Sequence, residues 1–278
     1  MNKKTAIFLG TTLLLASACG NKKQEQTQEK LHVVPEQIEI RKSTLKIPVT
    51  AEFFSITNLG SINIDFKEGP YSIVAEGDSM LIRQIETEFD SGVLTVNMPS
   101  ERNDGVNRFN SQATTTLHIQ CPELRIMAIC GSGNFTSNSK INSSNLEIGG
   151  MGLGEIHFDS ISCEEFKYQS NVETIAEFKS VNCKNASVFV YGTSNSTFDI
   201  KASGISLIDV GGNAVLNATV ASKVIEMATS GLANATVDVD CEAVKLTSQN
   251  QSVVNISGKA KENYLRNFHT STINNHLK

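Results

Sequence analysis

Three ionisable residues, His157, Glu177 and Asp199, follow one another at steps of 20 and 22 residues, and each sits between two apolar neighbours. In a chain folded as stacked copies, that spacing would set an imidazole and two carboxylates in one outward column. Two carboxylates about 5–10 Å apart can act as acid and base on a glycosidic bond, so a polysaccharide-active enzyme is one reading. Two facts oppose it. Columns of this kind are usually solvated faces, and the chain has no tryptophan to build the aromatic platform that sugar-cleaving sites favour. The expectation is a chain with no catalytic residue, in which His157, Glu177 and Asp199 belong to a contact surface. Phe189 and Tyr191 bracket an inward Val190 and should point outward with them, where exposed aromatics suit a partner. The opposing reading covers both rings with a loop. No Cys-x-x-Cys or His-x-x-x-His spacing occurs, which argues against zinc, and Asp238 and Asp240 lack the spaced Asp/Asn/Gly loop of a calcium site. No metal or cofactor is expected.

A column needs a scaffold that repeats, and the repeat is legible. One inward apolar position can be followed through Phe135, Ile156, Ala176, Phe198, Ala218, Val237 and Val254, at steps of 21, 20, 22, 20, 19 and 17. A second runs in step through Met127, Ile148, Tyr168, Val190, Val210, Met227 and Leu246. Apolar and polar residues alternate within each copy, as in Phe198/Ile200 and Val237/Val239, which puts one face of a strand inward and the other in solvent. Two strands per twenty residues leave no room for a helix. The predicted fold is all-β: a parallel β-helix-like solenoid of about seven rungs over residues 123–261. The outward columns predict ion pairs between Glu147 and Lys167 and between Glu226 and Lys245. A column of Glu147, Lys167, Phe189, Asp209, Glu226 and Lys245 is expected.

Residues 45–122 read instead as a short antiparallel β segment, with turns at Glu68-Gly69-Pro70 and Asp90-Ser91-Gly92 and a polar loop over Ser100 to Thr114. Met80 to Phe89 fits a short helix or a strand. Residues 262–278 are polar and are expected to close the last rung as a cap or tail.

Residues 1–18 read as an export signal, with Lys3 and Lys4 before an apolar core too short to span a membrane. The stretch Leu15-Ala16-Ser17-Ala18-Cys19-Gly20 resembles the lipobox of bacterial lipoproteins, although alanine stands three before the cysteine, where leucine is commoner. That resemblance implies that Cys19 is acylated and becomes the first mature residue, making membrane lipid the first partner. Residues 19–44 then form a polar tether. Gly20 resembles sorting to the outer membrane. Lys22 and Lys23 stand where surface export in the Bacteroides group has an acidic patch, which leaves the leaflet open.

The formal charge is −5, and removal of Lys3 and Lys4 with residues 1–18 takes it to −7. A mildly acidic chain without a basic run argues against nucleic acid as a partner. With Cys19 consumed, Cys121, Cys130, Cys163, Cys183 and Cys241 remain, an odd number that leaves at least one thiol free. Cys163 and Cys183 are one rung apart, and both a bridge and a pair of small apolar thiols fit that spacing. Asp78-Ser79-Met80 and Asp159-Ser160-Ile161 resemble the O-glycosylation triplet of the Bacteroides group.

The order of features resembles the putative auto-transporter adhesin family with a head GIN domain. The residues that carry the likeness are Gly60-Ser61-Ile62-Asn63-Ile64, the strand after Gly69-Pro70-Tyr71, Gly92-Val93-Leu94-Thr95-Val96, Cys121-Pro122-Glu123-Leu124 and Gly131-Ser132-Gly133-Asn134-Phe135. The later repeats depart from the glycine turn, with Asn171-Val172-Glu173, Thr193-Ser194-Asn195 and Gln249-Asn250-Gln251 in its place. What the resemblance implies is a β-helical fold and an adhesive or envelope role. The expectation is a rigid solenoid that binds a surface glycan or protein; the alternatives are the polysaccharide-active enzyme and a periplasm-facing structural lipoprotein with no external ligand. The resemblance carries over no catalytic residue.

Overall fold

The computed structural model describes residues 42–98 and 115–278. The expected signal peptide, Cys19, nearly all of the tether and the Ser100–Thr114 loop lie outside the described residues. β1 (Lys42–Ile47), β2 (Ser55–Asn58), β3 (Asn63–Glu68), β4 (Ser72–Asp78), β5 (Glu86–Asp90), β6 (Val93–Asn97), β7 (Thr116–Cys121) and β8 (Ile126–Ile129) open the chain. Long strands then alternate with split ones: β9 (Phe135–Gly150), β10 (Glu155–Ser170), β11 (Ile175–Cys183), β12 (Asn185–Val190), β13 (Asn195–Ala202), β14 (Ile205–Val210), β15 (Val215–Thr229), β16 (Asn234–Ser248), β17 (Val253–Asn267) and β18 (Thr272–Leu277). All belong to one continuous sheet wound into a solenoid of about eight turns.

Each turn lays one strand on a first face, rounds a corner, lays a second strand on an opposing face, and returns through a short arch. The first face stacks β3, β9, β10, β11, β13, β15, β16, β17 and β18 in parallel, joined through their N-terminal halves. The second stacks β2, β8 and the C-terminal halves of β9 and β10, then β12, β14 and the C-terminal halves of β15, β16 and β17. The rungs therefore begin inside the segment read as antiparallel: β2 and β3 are rung strands, and β6 and β7 pair with them in parallel as a further rung. The antiparallel pairings β1–β4, β4–β7 and β5–β6 cover that end of the stack. Between Met80 and Phe89 the chain makes one 3-10 turn, Ile82–Gln84, before β5. At the other end, residues 262–267 complete β17 and 272–277 form β18, so both extend the coil.

The inward columns explain the stack. Phe135, Ile156, Ala176, Ser196, Leu216, Ala235, Val254 and Ile273 pair in succession, at steps of 21, 20, 20, 20, 19, 19 and 19 residues. This corrects the sequence reading, which set Phe198 beside Ala176 and Val254 beside Val237. Ala176 pairs with Ser196, and Phe198 pairs with Phe178. The cause is visible in the core. Phe66, Phe135, Phe158, Phe178 and Phe198 form a ladder with centroids 6.1, 5.4, 5.6 and 4.7 Å apart. Phe166 and Tyr168 from the opposing face meet it edge-on. Each ring pair adds about 0.5–1.5 kcal/mol beyond area burial, so the rings set the register where alternation cannot.

The arches stack as closely as the strands. Gly192, Gly212 and Gly231 occupy one arch position with φ of 73°, 73° and 74°, and the next two copies place Asn250 and His269 there at 65° and 59°. A Cβ on Gly212 would lie 2.9 Å from the Gly192 carbonyl oxygen. At Gly212 both conformation and space favour glycine, whereas the two later copies hold the same conformation with Asn250 and His269.

Candidate functional site

Strand register decides which of the expected contact residues meet. On the first face His157 pairs with Glu177, which pairs with Thr197. Asp199 lies two residues further along its strand, in a column with Thr219, Asp238 and Ser257. It does not join His157 and Glu177. Instead Asp159 does. His157 Nδ1 is 2.8 Å from Glu177 Oε2, and its Nε2 is 2.9 Å from Asp159 Oδ1. Lys179 Nζ donates to the same Asp159 oxygen at 2.8 Å. The ammonium of Lys179, and after it His157, hold the Asp159 carboxyl below the usual carboxylate range. Asp159 in turn raises Lys179. Asp159 and Lys179 were legible in principle, since each lies two residues beyond a chosen partner and period-two alternation keeps it on the same outward face. A second histidine is clamped in the same way, with His118 Nδ1 2.9 Å from Asp65 Oδ2 and Nε2 3.2 Å from Glu76 Oε2.

Phe189 lies on the opposing face, turned away from that cluster. The ion pairs predicted there form, Lys167–Glu147 at 2.6 Å and Lys245–Glu226 at 2.8 Å. All four side chains are about half exposed, so each pair contributes tenths of a kcal/mol. The rest of that column differs from the reading. It runs Glu147, Lys167, Ser187, Leu207, Glu226 and Lys245. Phe189 and Asp209 belong to the neighbouring column, with Gln169 below them and Ala228 and Thr247 above. Because Ala228 carries only a methyl group, the face sinks over it. A depression of about 340 Å³ results, lined by Phe189, Leu207, Asp209, Glu226, Lys245 and Thr247. Leu207 and Thr247 were not singled out from the sequence, and nothing short of the correct register could have placed them here.

Tyr191 is half-buried at the first arch position, where a Cβ on Gly211 would come within 2.8 Å of its ring. Burial first, and then the neighbouring Asp209 carboxylate, push its phenol up to about 12. Tyr191 thus leans on the arch beside Asp209. The thiols of Cys121, Cys130, Cys163, Cys183 and Cys241 are all free. Burial pushes Cys163 up to about 12 and Cys183 to about 11.

With this geometry in hand, the family model described as "Putative auto-transporter adhesin, head GIN domain" matches residues 52–203, more than half of the chain. The chain belongs to that family. Three solved structures share its fold. A putative adhesin from Bacteroides fragilis is 16% identical with a TM-score of 0.60, covering 84% of this chain and 97% of its own. A protein described as a putative lipid binding protein, from Parabacteroides distasonis, is 16% identical with a TM-score of 0.66, covering 85% and 96%. A putative adhesin from Parabacteroides merdae is 15% identical with a TM-score of 0.64, covering 86% and 96%. Among curated proteins none matches the chain. The head GIN family and these neighbours bear the names of adhesins or binding proteins rather than enzymes. The matched span includes β2 to β13 and both the His157 cluster and Phe189, and it ends before Leu207 and the far wall of the depression.

Proposed function

We propose that this head GIN protein is an outer-membrane lipoprotein, anchored through acylated Cys19, whose solenoid is a non-enzymatic module for binding and adhesion. The observation that carries the reading is the pair of opposed outward faces. Each continues from rung to rung by parallel strand pairing, over one continuous apolar core and closely stacked arches. Such a surface presents side chains at fixed spacing, which is what contact with an extended or repeating partner requires. The carboxylates nearest to a catalytic pair, Asp159 and Glu177, are already in contact with His157, and Asp159 accepts from Lys179 as well, which favours a structural use over acid–base work. The name of one structural neighbour mentions lipid. For this chain the lipid expected is the anchor on Cys19, and the partner a surface glycan or protein.

Protease shaving of intact cells, with a periplasmic protein as leakage control, tests the reading. Loss of the domain supports adhesion. Full protection retires it in favour of a periplasm-facing structural lipoprotein. Release of sugars from a polysaccharide panel that vanishes in Glu177→Gln would establish an enzyme instead.

A further inference from the structure

We propose that the depression on the second face is a subsite for a neutral hexopyranose chain. This assignment deepens the binding-module reading and rests on it. Phe189 forms one end wall and Thr247 the other, three rung steps apart, about 14 Å at ordinary strand spacing. Leu207 and the Glu226–Lys245 pair form one side, Asp209 stands beside Phe189, and the floor is the Ala228 methyl group. At about 340 Å³ the volume lies at the small end of ligand sites and suits a ring rather than a larger cofactor.

The chemistry of the walls selects among partners. The face of Phe189 is electron-rich and matches the C–H-lined face of a pyranose. Asp209 and Glu226 accept hydrogen bonds from sugar hydroxyls, while Lys245 and Thr247 donate to them. Glu226 is held at 2.8 Å by Lys245, so that side of the groove is set before a ligand arrives. Two carboxylates against one ammonium leave the groove negative, which disfavours sulfated or uronic-acid chains. A peptide strand finds no purchase here. The strands beneath are paired on both sides, so their backbone groups are not open to an added strand. The floor is also too shallow to swallow the aromatic or arginine anchors on which protein contacts depend.

The test uses the full chain in detergent micelles over immobilised neutral polysaccharides (a glucan, a mannan and a galactan), with chondroitin sulfate as the acidic control. Saturable binding to at least one neutral polymer and none to chondroitin sulfate is expected. Phe189→Ala should weaken it at least tenfold and Asp209→Asn several-fold, with circular dichroism unchanged, while Asn217→Ala on the first face leaves it intact. Unaltered binding by both Phe189→Ala and Asp209→Asn, or equal binding to chondroitin sulfate, would overturn the assignment. Attachment of the wild-type chain to whole cells separates the two claims. If it adheres to cells but to none of the polymers, the sugar subsite falls and the binding module stands; if it adheres to neither, both fall.

Discussion

Phe178→Ala should be among the most damaging single changes in this molecule. The ring is 1% exposed and touches four others: Phe158 at 5.6 Å, Phe198 at 4.7 Å, Phe166 at 5.5 Å and Tyr168 at 5.1 Å. Truncating a buried phenylalanine costs about 3–5 kcal/mol in transfer and cavity energy. Four lost ring pairs, at about 0.5–1.5 kcal/mol each and partly contained in that figure, put the expected loss at the upper end, about 5 kcal/mol. A domain stable by about 5–15 kcal/mol could be left largely unfolded, so Phe178→Leu is the companion. Leucine keeps most of the buried area but none of the ring pairs, and should cost about 2 kcal/mol. Urea unfolding followed by far-ultraviolet circular dichroism measures both, with half-buried Phe189→Ala as reference at about 1 kcal/mol or less. If Phe178→Ala costs less than about 2 kcal/mol, or no more than Phe189→Ala, the ring ladder does not hold the register and the argument from it fails.

Two further outcomes follow from the arches and the first face. Gly212→Ala should lower stability by about 2 kcal/mol or more, from left-handed strain of about 1–2 kcal/mol plus contact with the Gly192 carbonyl, whereas Asn250→Gly should be neutral or mildly stabilising; thermal unfolding of both variants checks this, and equal losses would refute it. The folded-state carboxyl of Asp159 is depressed, so its contribution is present above the ordinary aspartate range and lost as pH falls through the lowered value. Asp159→Asn should therefore flatten the acid limb of a stability–pH curve below about pH 4, and a curve parallel to wild type would show that the Lys179 and His157 contacts contribute nothing.

How much of this was legible follows from one property of strands. Side chains alternate with period two, so the pattern states which face a residue occupies but is unchanged by a slip of two. Ile156, Phe158 and the other core residues were therefore assignable to the interior, and the pairs Glu147–Lys167 and Glu226–Lys245 survived because no slip fell between their members. Asp199 and Phe189 were misplaced because each lies beyond a two-residue slip, one between Ala176 and Phe198 and the other between Tyr168 and Val190. What resolves the slip is three-dimensional: stacking of Phe178 on Phe198, and arches of constant length from Ser170 to Thr174 and from Val190 to Ser194. Parallel pairing of β2 and β3 was hidden for another reason. β6 and β7 come later in the chain yet stack before them, an order that no local pattern encodes.

The same property bears on function. In this solenoid inward residues carry stability and register, while an outward residue touches mainly its neighbours above, below and alongside. A change at Leu207 or Thr247 alters the groove without disturbing the core, because neither side chain belongs to the buried cluster. Binding specificity can thus be rewritten rung by rung at little cost in stability, whereas a ring of the ladder or a tightly placed glycine such as Gly212 cannot be replaced without cost to the fold. It follows that shared fold at 15–16% identity, as with the Bacteroides and Parabacteroides structures, is poor ground for expecting a shared ligand. The depression depends on one small residue, Ala228, standing between Asp209 and Thr247. Filling it with Ala228→Phe should abolish polysaccharide capture while leaving thermal stability within about 0.5 kcal/mol of wild type, as expected for a surface exchange. Capture that survives a filled groove would place the binding surface elsewhere on the rod.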